Sequence, residues 1–231
     1  MLVVIDNTIG PKPIFRQYLL SFLRRQRHGH AIARTLSEVV EICRTKQVSG
    51  FILTGSQLHV HDIGRDREAM NTFALRHGAP VLGICFGAQF INLYFGGHLE
   101  YTGAPVHHTR GIKIIGARIG LVEGVPMKLE ADFYAAYSIS DLAPCMRPIC
   151  LDEVHDQRVV AFRHKRRRIW GTLFHPESIC AHTELILNNF IQTIKWAPPK
   201  TSEKTLHLGN NTFNKKKNEE CRRKRLLKFN G

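Results

Sequence analysis

The apolar residues of this chain fall into two kinds of pattern, which alternate along the sequence. Runs of four or five consecutive apolar residues are typical of buried strands, whereas apolar positions that recur every three or four residues are typical of amphipathic helices. Strands are predicted at 2–5, 50–53 and 80–84, and helices at 13–27, 65–77, 87–95 and 183–196. Strands that alternate with helices predict an α/β fold, with a mostly parallel central sheet flanked by helices.

The pattern is less regular in the middle of the chain. Residues 101–156 are rich in Gly and Pro and contain only short apolar runs, such as 112–115, so we predict no topology for them. Two further strands are predicted at 158–162 and 169–174, on either side of a basic turn at 163–168.

The chain is strongly basic, and its charge is uneven. It has 33 Lys and Arg against 19 Asp and Glu, a formal net charge of +14, and residues 198–231 hold ten of the basic and three of the acidic residues. Because this segment begins with two prolines and has few apolar residues to bury, we expect a folded domain over 1–197 and a disordered basic tail over 198–231. The basic clusters 215–217 and 222–225 are spaced like a nuclear-import signal, or like an arm that binds polyanions weakly and nonspecifically. A solvated end without a binding function is the alternative.

The remaining composition is that of an ordinary globular protein, with 43% hydrophobic and 23% charged residues. No apolar run approaches the roughly 18 residues of a membrane span. The chain starts directly with a strand-like segment rather than with a signal peptide. Its six cysteines include no CxxC pair, which argues against a zinc ribbon or a disulfide scaffold. These features predict a cytoplasmic protein that does not contact membranes.

Cys85 lies where a predicted strand meets a predicted helix, within the sequence GICFGAQ. A sharp turn of this kind holds a nucleophile at the carboxyl edge of a sheet. The backbone N–H groups of the helix N-terminus can stabilise a thiolate or an oxyanion there. Glycines at positions 83 and 87 provide clearance that side chains would remove. The pattern therefore favours a catalytic cysteine over a small buried hydrophobic residue.

His175 and Glu177 follow the predicted strand at 169–174. They supply what a thiol nucleophile needs, a base and a group that orients the base. Residues two apart in extended chain point to the same side, so we expect Glu177 beside His175. Together with Cys85 they predict a catalytic triad.

These motifs resemble those of the class I, triad-type glutamine amidotransferases, over residues 1 to about 196. Residues 5–7 and 80–97 are similar to the amidotransferase component of anthranilate and aminodeoxychorismate synthase, and 80–97 also to the amidotransferase domain of GMP synthetase. Residues 174–178 and 187–191 match the closing block of the family. The resemblance implies the flavodoxin-like layering of that family.

The resemblance also implies a reaction, which needs neither a metal nor a cofactor. Cys85 would attack the side-chain amide of L-glutamine. His175 would protonate the departing ammonia and then activate water against the thioester, while Glu177 orients His175. The implied oxyanion donors are the backbone N–H groups of Gly55 and Phe86. The residues implied to hold the α-amino and α-carboxylate groups of glutamine are Gln89, Tyr137 and Ser138.

The chain departs from the family pattern at two places. Ser56 and Gln57 stand where the oxyanion loop of the family usually has further Gly and Pro, so the loop could be stiffer or differently shaped. Tyr137 stands before Ser138 where the family commonly has a histidine. The larger side chain could change how the substrate is positioned.

The sequence contains no recognisable acceptor domain or nucleotide-binding motif in its 231 residues. We therefore expect a free-standing glutaminase subunit that supplies ammonia to a separate synthase or synthetase. Two alternatives remain, a γ-glutamyl hydrolase that needs no partner and a non-catalytic relative that binds or regulates.

Other histidines have weaker patterns. His59 and His61, with Asp62 beside them, have a spacing that could hold a metal, but no third ligand follows at a suitable spacing, so no metal site is predicted. The candidates for a partner interface are His108, Thr109 and Arg110.

Overall fold

The computed structural model describes residues 1–9, 14–103, 107–155, 158–178 and 180–195. Its strands are β1 (Leu2–Ile5), β2 (His30–Ala33), β3 (Gly50–Leu53), β4 (Val81–Ile84), β5 (His98–Tyr101), β6 (His108–Ile114), β7 (Lys128–Phe133), β8 (Tyr137–Asp141), β9 (Met146–Asp152), β10 (Val159–His164) and β11 (Ile169–Thr172). Its helices are α1 (Ile14–Arg25), α2 (Leu36–Thr45), α3 (Arg65–His77), α4 (Phe86–Tyr94) and α5 (Glu184–Lys195), with single 3-10 turns at Val60–Asp62 and Gly120–Val122.

Nine of the described strands form one sheet, in the order β2-β1-β3-β4-β11-β10-β9-β6-β7. Strands β2, β1, β3, β4 and β11 pair in parallel. Strands β10, β9, β6 and β7 continue the sheet in antiparallel pairing. Strands β5 and β8 form a separate antiparallel ribbon. The predicted α/β fold with a parallel central sheet and flanking helices is confirmed, and the antiparallel extension was not predicted.

Every residue of β1, β3 and β4 is buried. This is expected of parallel strands with both faces covered, which are apolar along their whole length instead of alternating. The buried side chains of α1 and α5 belong to the same core; they are Leu19, Phe22, Leu23, Ile186, Leu187, Phe190, Ile191 and Ile194.

The carboxyl ends of three neighbouring parallel strands place three loops at one edge of the sheet. The chain leaves β3 at Thr54, β4 at Cys85 and β11 at Leu173. Ligands in open α/β sheets bind at this edge, which makes it the place to look for the site.

Two further expectations concern the rest of the chain. None of the helices in the described ranges is both long and apolar enough to cross a membrane. The basic tail at 198–231 lies outside the described residues, so the tail and its boundary stay predictions.

Candidate active site

Cys85 occupies a strained turn between β4 and α4. Its backbone dihedrals are φ 50° and ψ −104°, which few residues other than glycine adopt. The turn is held on both sides, because Cys85 N donates to Thr172 O of β11 at 2.7 Å and Cys85 O accepts from Gln89 N at 3.0 Å. Strain of this kind persists where the surrounding structure over-determines it, as in a nucleophile elbow.

Gly83 and Gly87 allow α4 to lie close against the sheet. A Cβ atom on Gly87 would overlap the carbonyl of Leu53 in β3, and a Cβ on Gly83 would stand 2.6 Å from the carbonyl carbon of Gly87. No side chain fits at either position without a shift of backbone. The two glycines therefore bring the N-terminus of α4, and Cys85 with it, close to the sheet edge.

His175 and Glu177 lie together just beyond β11. His175 Nδ1 lies 2.9 Å from Glu177 Oε1, and both side chains are only 3% exposed. The backbone N–H of His175 donates to Asp132 O of β7 at 2.8 Å. Burial alone would lower the pKa of His175, but the charges of Glu177 and Cys85 and the hydrogen bond to Glu177 raise it to about 10. These groups therefore favour the protonated form of the ring.

Gly55 lies next to both Cys85 and His175. A Cβ atom on Gly55 would stand 3.0 Å from His175 Cε1 and 3.6 Å from Cys85 Cβ. His175 Nε2 has no hydrogen-bond partner among the described residues, and the Cys85 thiol donates to Tyr134 O at 3.4 Å. The structure thus brings together Cys85, His175, Glu177 and Gly55, four residues that the sequence singled out.

The family of the chain follows from a comparison with models of known protein families. The model of the class-I glutamine amidotransferases matches residues 3–193. The chain belongs to this family. Among curated relatives, a subunit of the glutamine-hydrolysing GMP synthase from Methanococcus vannielii is 31% identical over 157 residues, which cover 65% of this chain and 76% of that protein.

Other relatives of this amidotransferase are much longer. The multifunctional tryptophan biosynthesis protein of Phycomyces blakesleeanus is 32% identical over 157 residues, 66% of this chain but 20% of that protein. This chain therefore matches about a fifth of the fungal protein. The solved structure of a GMP synthase subunit from Thermoplasma acidophilum has a TM-score of 0.72 at 23% identity, covering 84% of this chain and 93% of that one. It shows that the fold is shared.

The predicted oxyanion donor Phe86 and the residues expected to hold glutamine lie on α4 and β8. Phe86 is the first residue of α4 and is buried. Gln89 is buried on α4, and its Nε2 donates to Tyr137 O at 3.1 Å, next to the buried Ser138 of β8. The rings of His59 and His61 each meet the ring of Tyr137 edge-on, with centroids 5.4 Å apart. In this conformation the two histidines thus cover Tyr137.

A cavity of about 440 Å³ opens on the other side, next to His175 and Glu177. One wall is the first half of α1, with Phe15 and Tyr18, and another is the oxyanion loop from Thr54 to Gln57. None of the residues expected to hold glutamine's α-groups is among the described residues that line it. The remaining lining residues are Thr8, Ile14, Arg16, Leu19, His107, Asp132 and Tyr134.

Two of the candidate interface residues are engaged within the chain. Thr109 Oγ1 donates to the carboxylate of Asp132 at 2.7 Å, and Arg110 Nη1 donates to the buried Asp152 at 2.9 Å. Burial would raise the pKa of Asp132, but hydrogen bonds from Thr109 and neighbouring side chains hold it below its usual value. These contacts support a structural role for both residues.

Three residues that contact His175 or Cys85 have no signal in the sequence. Phe15 lies flat on the imidazole ring, Asp132 binds the backbone of His175, and Tyr134 accepts from the Cys85 thiol. They come from α1, from β7 and from the loop after β7. Only the tertiary fold brings them to the site, and no local motif marks them.

Proposed function

We propose that this amidotransferase releases ammonia from L-glutamine through a cysteinyl thioester and supplies it to a separate synthase or synthetase. The main support for the proposal is the environment of the buried His175. Its Nδ1 is hydrogen-bonded to Glu177, and the charge of Cys85 helps to raise its pKa. Membership of the family supports the same reaction.

In the first half-reaction Cys85 transfers its thiol proton to His175 and attacks the amide carbon of glutamine as a thiolate. The electron pair of the carbonyl moves to its oxygen, and the backbone N–H groups of Gly55 and Phe86 would stabilise that oxyanion, each by about 3 kcal/mol. His175 is then an imidazolium, the form that its raised pKa favours. It donates a proton to the amide nitrogen, the C–N bond breaks, and ammonia leaves a γ-glutamyl thioester on Cys85.

In the second half-reaction His175 acts as a base. The neutral ring takes a proton from a water molecule as the water oxygen attacks the thioester carbon. The C–S bond breaks, glutamate leaves, and the thiolate returns beside the imidazolium. The carboxylate of Glu177 stabilises the charged ring in both resting and final states.

Gln89, Tyr137 and Ser138 are the residues that we assign to the α-amino and α-carboxylate groups of glutamine. Their support is mutual proximity beside Cys85, on the side away from the cavity. The rings of His59 and His61 lie edge-on against Tyr137 and therefore border this proposed binding site.

The acceptor of the ammonia lies on another chain in this proposal. Glutamine-hydrolysing GMP synthase and aminodeoxychorismate synthase are both represented among the relatives. We therefore propose a synthetase of the nucleotide type or a synthase of the chorismate type as partner. We also place the protein in the cytoplasm, because Cys85, Cys145, Cys150 and Cys180 are free thiols among the described residues.

A γ-glutamyl hydrolase is the second candidate, and the size of the cavity favours it. The cavity next to His175, about 440 Å³, has the size of a small-molecule binding site. His175 would protonate the leaving nitrogen, so a substituent on that nitrogen could extend into the cavity. Faster hydrolysis of a γ-glutamyl anilide than of L-glutamine would favour this candidate over an ammonia-supplying subunit.

The first experiment is to alkylate the isolated protein with a glutamine-mimicking affinity label and to map the adduct by mass spectrometry. We expect labelling of Cys85 that excess L-glutamine prevents. Cys85→Ala removes the nucleophile, and Cys145→Ala, at a partly buried cysteine, is the matched control. Labelling spread over several cysteines, without protection by glutamine, would contradict the proposal. Ammonia release by each variant, alone and with a candidate acceptor protein, then tests turnover and partner.

A further inference from the structure

The ring of Phe15 lies flat against the imidazole ring of His175. The two centroids are 3.6 Å apart and the ring planes differ by 14°. Phe15 is the second residue of α1 and lines the cavity. An aromatic side chain from a distant helix thus covers one face of the histidine that the proposed reaction uses.

The hydrogen bonds of His175 do not by themselves fix the plane of its ring. Nδ1 is bonded to Glu177, and one hydrogen bond at one ring atom restrains rotation about the Cβ–Cγ bond only weakly. Nε2 has no partner in the described part of the chain, and Gly55 presents no side chain to the Cε1 edge. A flat contact on the ring face opposes that swing. Phe15 is the residue that makes one.

The stacked Phe15 ring also affects the protonation of His175. A cation above the face of an aromatic ring is attracted by the ring's quadrupole, which favours the imidazolium over the neutral ring by roughly twofold to thirtyfold. The phenyl ring also keeps water from that face. The attraction acts in the same direction as the charge of Glu177, toward a protonated His175.

From this contact we propose that Phe15 is a positioning residue for His175, which fixes the plane of the imidazole ring toward Cys85 and stabilises its protonated form. The inference rests on the proposed role of His175 as acid and base. It adds an element, α1, on which the reaction depends. Phe15 makes an edge contact with Tyr18, at 6.4 Å between centroids, and the buried Leu19 and Phe22 anchor the same helix in the core.

The other charged groups near the His175 ring each have an identified partner in the described part of the chain. Glu177 and Cys85 act on His175 directly. Asp132 and His107 also line the cavity and are 3.6 Å apart, the His107 ring lies 6.2 Å from the Phe15 ring, and Arg16 of α1 is paired with Asp6. Replacement of Phe15 by an uncharged residue changes none of these charges, so a change in titration would come from the stack itself.

The test compares Phe15→Leu, which fills space without a flat ring, with Phe15→Tyr, which retains the ring. The matched control is Phe73→Leu on α3, which removes an aromatic contact with His77 far from the triad. We expect Phe15→Leu to lower kcat for glutamine hydrolysis by about tenfold with little change in KM, as for loss of orientation of a catalytic group. Phe15→Tyr should restore most of the rate.

The pH profile separates positioning from a general loss of structure. His175 must be protonated to act as acid, so the rate falls as pH rises through its pKa. A weaker preference for the imidazolium should move that limb about 0.5 to 1.5 pH units lower in Phe15→Leu. The same change should appear when the His175 ring is titrated by NMR, a measurement that requires no turnover. An unchanged titration and an unchanged rate in Phe15→Leu, with wild-type labelling at Cys85 intact, would overturn this inference and leave the proposed function standing.

Discussion

Replacement of Glu177 by Gln removes the charge that keeps His175 protonated. The two groups are 2.9 Å apart and 3% exposed, so at an effective dielectric constant near 20 their attraction is about 6 kcal/mol. A rise in the pKa of His175 from 6.5 to about 10 corresponds to roughly 5 kcal/mol. The net rise is a balance of opposing effects, because burial of the ring is the largest single influence and lowers the pKa, whereas the charge of Cys85 adds to that of Glu177.

With Gln at position 177 we therefore expect the pKa of His175 to fall by several units, since burial then opposes the charged ring. Glutamine can still accept a hydrogen bond from Nδ1, so the ring keeps a partner but loses the opposite charge. We expect glutamine hydrolysis to fall by about 10²- to 10⁴-fold, as when the acid of a triad is replaced by its amide. Ammonia release is the assay, with Glu184→Gln on the exposed face of α5 as the control.

Stability gives an independent measurement of the same charge. A histidine whose pKa is raised on folding contributes stability that is fully present below its unfolded value of 6.5 and is lost as pH rises through about 10. The difference in free energy of unfolding between wild type and Glu177→Gln should thus be largest below about pH 6.5 and shrink toward pH 10. A variant with wild-type activity at every pH and a constant difference in stability would refute the reasoning.

Three other positions give predictions that do not involve the histidine. Gly87→Ala should lower the free energy of unfolding, measured by urea denaturation, by about 1–3 kcal/mol, because the new Cβ overlaps a carbonyl of β3. Gly64→Ala is the control and should change it little, because that position faces open space. Equal effects of the two substitutions would contradict the packing argument. Burial would raise the pKa of Asp6, but hydrogen bonds from a threonine and two arginines hold it below its usual 3.8. Asp6→Asn should therefore lower the free energy of unfolding by about 2 kcal/mol at pH 7 and by progressively less as the pH falls below 4. A loss of stability that does not depend on pH would count against the ion pairs. Burial raises the pKa of Cys150 to about 12, so alkylation at pH 8 should reach it only after unfolding, and its modification in the folded protein would be inconsistent with that burial.

The sequence predicted best those elements whose pattern reports burial on both faces. The runs at β1, β3 and β4 are apolar throughout because their strands lie inside the parallel sheet, and helix α3 was predicted with its observed bounds. Strand β2 was missed because only one of its four residues, Ala33, is buried at the sheet edge, and α2 because it buries a single side chain, Val39. Strands β6, β7 and β9 pair over long sequence separations, which short apolar runs do not encode.

Some residues of the candidate site have a local signal in the sequence, whereas others are brought there only by the tertiary fold. Cys85 has a local signal, because only a turn packed closely against the sheet needs glycines two residues before and after it. The pair His175 and Glu177 also has one, because residues two apart reach the same side. Phe15 has none. On sequence it is one more apolar residue on the face of α1 that includes Leu19 and Phe22, and only the position of α1 at the sheet edge makes it a neighbour of the triad.

The basic turn at 163–168 illustrates how a charge cluster can have a structural cause. The guanidinium groups of Arg167 and Arg168 donate to the carbonyls of Leu75 in α3 and Thr193 in α5. Those carbonyls lie in the last turns of their helices, where backbone acceptors lack partners and the helix dipole favours positive charge. The turn precedes β11 and so lies at the amino edge of the parallel strands, opposite the candidate site. Two of its arginines therefore join helix ends to the sheet, and the hypothesis of polyanion binding then depends mainly on the basic tail.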